Sequence, residues 1–129
     1  MGYIKKIHHI AVICSDYERS KAFYTEVLEL EIVREVYREQ RDSYKLDLAL
    51  HGAYVLELFS FPSPPPRPSH PEAAGLRHLA FAVDNVEAVV ASLQKKGIAV
   101  EPVRVDEFTG KQFTFIADPD GLPIEFYRD

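Results

Sequence analysis

The 129-residue sequence holds one cysteine, has no surplus of basic residues and contains no long apolar run. A lone cysteine, Cys14, rules out a disulfide within the chain and suits a reducing, cytoplasmic compartment. Because Cys14 closes an apolar strand-like run, it reads as a small buried hydrophobe rather than a nucleophile. Fifteen Lys and Arg against twenty Asp and Glu give a net charge of −5, the opposite of a nucleic-acid-binding footprint. No uninterrupted apolar stretch approaches the roughly 20 residues that a membrane-spanning helix needs. The opening Met1-Gly2-Tyr3-Ile4-Lys5-Lys6 leads into a strand pattern without the apolar segment of a signal peptide. A composition of 47% hydrophobic and 27% charged residues is ordinary for a soluble globular chain, and this length suffices for one domain with a buried core.

What the sequence does contain is a repeat. Ile7-His8-His9-Ile10-Ala11-Val12-Ile13-Cys14 resembles Leu76-Arg77-His78-Leu79-Ala80-Phe81-Ala82-Val83, with His9 and His78 aligned 69 positions apart. The same offset matches Ala11 with Ala80, Ser15 with Asp84, Glu18 with Glu87 and Ala22 with Ala91. Near the end of each half, Gly52-Ala53-Tyr54-Val55-Leu56-Glu57-Leu58-Phe59 resembles Gly121-Leu122-Pro123-Ile124-Glu125-Phe126-Tyr127, so Glu57 answers Glu125. Internal self-similarity of this kind governs the fold assignment.

Each copy reads as strand, helix, strand, strand, strand. Residues 4–13 alternate in strand fashion, placing Ile7, His9 and Ala11 on one face and His8, Ile10, Val12 and Cys14 on the other. In the second copy Leu79, Phe81 and Val83 form the bulky face, leaving His78 with Ala80 and Ala82. Ser15-Asp16-Tyr17-Glu18 and Asp84-Asn85-Val86-Glu87 predict capping boxes at equivalent places. The first helix is expected to run to about Leu28 on a stripe of Ala22, Phe23, Val27 and Leu30. The second uses Val86, Val89, Val90 and Leu93 and stops at Gly97. Strands are expected at 31–39, 44–50 and 53–61, then at 100–105, 113–118 and 122–127. His51-Gly52 and Asp118-Pro119-Asp120-Gly121 supply turns. The organisation is a single domain over 1–129, with module 1 at about 4–61, a stiff proline-rich connector at 62–74 and module 2 at about 75–129. The connector reads as a spacer, with a wall over the site, offering Arg67 to an anion, as its alternative.

A strand histidine or glutamate alone is unremarkable. Two copies related by a pseudo-twofold axis would bring equivalent residues towards that axis, so His9, Glu57, His78 and Glu125 form the candidate site. An inward carboxylate within an apolar strand is costly unless paired, protonated or metal-bound, and Glu57 and Glu125 each lie between two apolar residues. Two imidazoles and two carboxylates suit Ni, Co, Zn, Mn or Fe(II), leaving open positions for a chelating substrate. Arg38, Arg41, Lys111 and Arg67 are weaker candidates for a substrate carboxylate, and Phe59, Phe113 and Phe115 for a lining. His8, His51 and His70 lack repeat partners and are left outside the site.

These residues, with Ser20-Lys21-Ala22-Phe23-Tyr24 and the Asp118–Gly121 turn, resemble the vicinal oxygen chelate superfamily of glyoxalase I, bleomycin-resistance proteins and extradiol dioxygenases. Within it, Tyr37-Arg38-Glu39-Gln40-Arg41-Asp42-Ser43, the connector and Arg104-Val105-Asp106 look like the YaeR-like glyoxalase-type group. The resemblance covers essentially the whole chain. It implies an α+β fold in which two βαβββ modules form an eight-stranded, cup-shaped mixed sheet. It also implies a divalent metal, Ni or Zn before Co, Mn or Fe, on His9, Glu57, His78 and Glu125, a set most like glyoxalase I. The implied activity is a lactoylglutathione lyase-like isomerisation, in which a metal chelating vicinal oxygens stabilises an enediolate. Glu125 and Glu57 are the candidate bases, with Glu125 preferred. The implied substrate is a small molecule such as a glutathione or other thiol adduct, and the implied assembly is a homodimer, with the modules pairing within one chain or exchanged between two. Alternatives within the resemblance are an acyl-thioester epimerase, an Fe(II) dioxygenase or a non-catalytic module binding a small ligand.

Overall fold

Local signals fix the ends of the elements, and the burial of one sheet face fixes their register. The computed structural model describes residues 2–129, which form two compact units meeting between Pro66 and Arg67. The first unit contains β1 (Ile10–Cys14), α1 (Tyr17–Ala22), β2 (Glu31–Arg38), β3 (Ser43–Leu50) and β4 (Ala53–Ser60). The second contains β5 (Leu79–Val83), α2 (Val86–Lys95), β6 (Arg104–Val105), β7 (Gln112–Ala117) and β8 (Pro123–Arg128). Each unit is βαβββ, and each has its own four-stranded sheet, ordered β1-β4-β3-β2 and β5-β8-β7-β6. First and last strands run parallel, β1 beside β4 and β5 beside β8, whereas the other pairs are antiparallel.

The helices cover one face of each sheet. In the first unit Val12, Cys14, Leu46, Leu48, Leu56 and Leu58 are buried with Tyr17, Phe23 and Tyr24, and α1 packs on β4. In the second, Ile116, Ile124 and Phe126 are buried with Val86 and Leu93 of α2. Successive side chains on a strand point to opposite faces, so Glu57, between Leu56 and Leu58, and Glu125, between Ile124 and Phe126, lie on the face away from the helix.

Both caps sit one residue later than the expected boxes. Asp16 is the first N-cap and accepts from the Arg19 amide at 3.2 Å; Asn85 is the second and accepts from the Ala88 amide at 3.0 Å. Asp and Asn cap at least as well as Ser, so the box glutamates are not needed. The first helix does extend to Leu28, but as a π-turn over Phe23–Val27, with the Leu28 amide reaching the Phe23 carbonyl at 3.1 Å. The second ends in a Schellman motif: Gly97, at φ +77°, donates to Gln94, and Ile98 donates to Leu93.

Two expected strands are shortened. Residues 4–9 join no ladder, and β1 begins only at Ile10. The partner strand explains this: the β3–β4 register slips between Leu48/Leu56 and Ala49/Tyr54, leaving Val55 as a bulge beside the place where His9 would pair. In the second unit the ladder stops short of His78 because β8 starts at Pro123, which has no N–H to extend it. Strand β6 shrinks from 100–105 to two residues because Pro102 interrupts it; the Glu101 amide still donates to the Phe115 carbonyl at 3.0 Å, and its carbonyl accepts from the Thr114 hydroxyl at 2.7 Å. The turns are as expected. His51 and Gly52, at φ +49° and +79°, make a two-residue hairpin, and Gly121, at φ +86°, donates to the Asp118 carbonyl.

The caps generate a stability prediction. Asp16→Ala and Asn85→Ala each remove one side-chain acceptor from a helix N-terminus and should each cost about 1 kcal/mol. Urea unfolding midpoints should fall by similar amounts for the two, with the slope unchanged.

Candidate functional site

In each unit one histidine and one glutamate meet across the parallel strand pair. His9 Nε2 lies 3.3 Å from Glu57 Oε1, and His78 Nε2 lies 3.3 Å from Glu125 Oε1. The residue between them makes this possible. Ala11 pairs with Glu57 and Ala80 with Glu125, and each alanine follows its histidine by two positions on the same face. A methyl group leaves room for the imidazole to lean over it and reach the carboxylate. The glutamate side chains are only 14% exposed, and the histidines 35% and 29%.

The spacing suits a shared ion. Two donors bound to one cation at about 2.0–2.2 Å sit about 2.8–3.6 Å apart between octahedral and tetrahedral angles. Each pair therefore has the separation of adjacent ligands already, and imidazole nitrogen with carboxylate oxygen is a sound donor set for a divalent transition metal. Neither unit by itself gathers three such side chains among the described residues; each holds one pair.

The surroundings of the two pairs differ. In the first unit the bulge turns Tyr54 onto the Glu57 face, where its hydroxyl lies 2.6 Å from Glu57 Oε2 and 3.0 Å from Asp47 Oδ1. Lys45 Nζ sits 2.6 Å from Asp47 Oδ1 and 3.3 Å from Glu57 Oε2, while Arg34 Nε reaches Asp47 Oδ2 at 3.4 Å. Asp47 is 1% exposed, so these cations are what allow it to remain charged. Burial pushes the Glu57 carboxyl up, but hydrogen bonds from Tyr54 and Lys45 and the nearby His9 outweigh it, and the net displacement is downward. Burial, then bonding to Glu57 and Asp47, pushes the Tyr54 phenol up, so it stays a donor. His8, left outside the site on sequence grounds, touches it: its Nδ1 lies 2.8 Å from His9 Nδ1. Residues 8 and 9 precede the ladder, so strand alternation does not separate their side chains.

In the second unit the positions of Lys45 and Asp47 are taken by Phe113, opposite Tyr127, and Phe115, opposite Glu125. Phe115 meets the His78 ring edge-on at 5.1 Å, and the Arg104 guanidinium lies over Phe113 at 5.0 Å and Phe115 at 5.6 Å. Among the described residues Glu125 meets no polar side chain other than His78. A cleft of about 590 Å³ opens beside His78, with Phe115, Pro123, Arg104 and Arg77 in its walls, a size suited to a small molecule.

The secondary candidates divide. Arg67 donates to the carbonyls of Leu76 and Arg77 at 2.9 and 2.7 Å and to Ser69 Oγ at 3.0 Å, so it clamps the connector to the approach to β5. Arg38 stacks over Phe59 and Phe61 and donates to Ser43, and Arg41 lies over Phe61. Lys111 takes part through its backbone, in a turn bonded to Asp106. Tyr54, Lys45, Asp47 and His8 are the residues that sequence reasoning missed. The alternation of Lys45-Leu46-Asp47-Leu48 was the available signal, but an unbulged hairpin across His51-Gly52 would have paired Asp47 with Leu56 instead of Glu57.

Comparison with known proteins agrees with this architecture. The YaeR protein of Escherichia coli (strain K12) is 60% identical over 125 residues, covering 97% of each chain. A glyoxalase family protein from Enterococcus faecalis superposes with a TM-score of 0.91 at 50% identity, over 97% of this chain and 98% of that one. The trypanothione-dependent glyoxalase I of Leishmania major superposes with a TM-score of 0.71 at 26% identity, over 97% and 87%. Residues 6–126 match one family model, and with the βαβββ repeat this makes the chain a member of the Glyoxalase/Bleomycin resistance protein/Dioxygenase superfamily.

Proposed function

We propose that this chain is a divalent-metal-dependent lyase or isomerase of glyoxalase I type, acting on a small thiol adduct of the hemithioacetal kind. The observation that carries the reading is the duplicated His–Glu pair, set at 3.3 Å in both units. His9, Glu57, His78 and Glu125 would together hold the ion, and the likeness to glyoxalase I of Leishmania major supports the reaction type. The reading includes a homodimer in a reducing compartment.

A divalent cation bound there supplies Lewis acidity, which acidifies a C–H bond beside the substrate oxygens it faces. The chain's own residues do the rest. Tyr54 and Lys45 restrain Glu57 and favour its charged form, which fits a permanent ligand. Glu125 is restrained by His78 alone among the described residues and has a carboxylate oxygen to offer. It takes the proton from the carbon bearing sulfur and oxygen and returns it to the adjacent carbon, so a hemithioacetal becomes a hydroxyacyl thioester with no change in composition. The cleft beside His78, with Phe115, Pro123 and Arg104 in its walls, would receive the rest of the substrate.

Elemental analysis of the purified protein should find a divalent transition metal, and restoring Ni or Zn to chelator-treated protein should restore hemithioacetal turnover. Glu125→Gln should retain most of the metal and lose about 10²- to 10⁴-fold in kcat, whereas Glu57→Gln should lose the metal itself. Full turnover by Glu125→Gln would remove Glu125 from the role of base. Protein that neither takes up a divalent metal nor turns over a hemithioacetal would sink the reading. Light scattering should give a mass about twice that of the 14.7 kDa chain; a monomer would contradict the dimer.

A further inference from the structure

The two halves repeat their site residues but not what stands around them. Three positions carry the difference. Lys45 is replaced by Phe113, Asp47 by Phe115, and Tyr54, which pairs with Ala49, by Pro123, which pairs with Ala117. We propose that Tyr54, Lys45 and Asp47 are positioning residues, which fix the rotation of the Glu57 carboxylate so that one chosen oxygen faces the cation. This inference rests on the metal reading above.

The geometry distinguishes the two oxygens of Glu57. Oε2 is engaged by the Tyr54 hydroxyl at 2.6 Å and by Lys45 at 3.3 Å. Oε1 is left facing His9 Nε2 at 3.3 Å. A carboxylate held by one oxygen cannot turn to chelate with both, so Oε1 is presented as a single, directed donor. The Tyr54 hydroxyl has one proton and two carboxylate neighbours; the shorter contact sends it to Glu57. Asp47 then serves as an anchor. It is buried and holds the Lys45 ammonium at 2.6 Å, closer than Glu57 does, so the lysine charge is directed chiefly at Asp47 rather than against an incoming cation.

The bulge at Val55 is what brings Tyr54 to this face, because without it residue 54 would share the face of Leu56. No such bulge interrupts the β7–β8 pairing, where register is unbroken from Phe113/Tyr127 to Ala117/Pro123. Glu125 Oε2 accordingly has no polar side chain against it among the described residues.

Cobalt(II) is the probe, because its visible spectrum reports ligand geometry without any turnover. Tyr54→Phe removes one hydroxyl and keeps the ring. It should weaken cobalt binding about 10- to 100-fold in chelator competition and shift the visible absorption bands. The double variant Asp47→Asn with Lys45→Met removes both charges together and should give a change of the same kind. Leu122→Ala, in the turn just before β8 and clear of both pairs, should leave the cobalt spectrum unchanged. Wild-type affinity and an unaltered spectrum in both Tyr54→Phe and the double variant would overturn the positioning role while leaving the metal reading intact. Failure of the wild-type protein to bind cobalt would instead overturn the metal reading, and this inference with it.

Discussion

The site depends on the parallel pairing of the first and last strands in each unit. Parallel neighbours lie about 4.8 Å apart, and a glutamate on one faces an alanine on the other. That small residue leaves the imidazole a path to the carboxylate, which a bulky side chain leaning the same way at position 11 or 80 would narrow. The pairing is in turn held by the helix-facing side. A slip of one residue would turn Leu56 and Leu58, or Ile124 and Phe126, out of the core. The hydrophobic core of each unit thus sets the polar geometry on its other face.

Duplication gave the two pairs the same frame, and substitution around them gave unlike environments. The first unit surrounds its pair with Lys45, Asp47, Tyr54 and Arg34, a network whose formal charges, with Glu57 included, cancel. The second surrounds its pair with aromatic rings and an arginine stacked on them. A polar, fully engaged wall has little to offer an arriving molecule, because its donors and acceptors are already satisfied. An aromatic wall with a cleft beside it can take the apolar part of a substrate, and the Arg104–Glu101 pair at its edge is exposed and weak enough to exchange partners.

Much of this was legible from the sequence, and the parts that were not have identifiable causes. The repeat, both βαβββ orders, the two turns and the His–Glu pairs follow from residue patterns that recur at a fixed offset. The caps were misplaced by one residue because Ser15 and Asp16, and likewise Asp84 and Asn85, are adjacent residues of cap-forming type, and only backbone geometry chooses between them. The polar network was hidden for a different reason. Its register depends on an extra residue in β4, and a bulge at Val55 leaves no mark in a run as strand-like as Tyr54-Val55-Leu56. The His8–His9 contact was hidden by the same event, which ends the ladder early and frees residue 8 from alternation.

The unequal surroundings would also divide the energetics of the proposed ion binding between the two pairs. A largely buried carboxylate costs free energy until a cation or a hydrogen-bond donor meets it. In the first unit that cost is already offset by Tyr54 and Lys45, which hold the carboxylate as a rigid donor. In the second, Glu125 is equally shielded from water, at 14% exposure, yet has only His78 beside it among the described residues. Its carboxylate therefore has most to gain from a cation and fewest restraints on moving away from one. A group with both properties can be drawn to the ion at rest and released towards a substrate carbon during reaction. The engaged Glu57 lacks the second property, so in the proposed reaction the asymmetry of the neighbours, rather than any difference between the two glutamates themselves, would separate ligand from base.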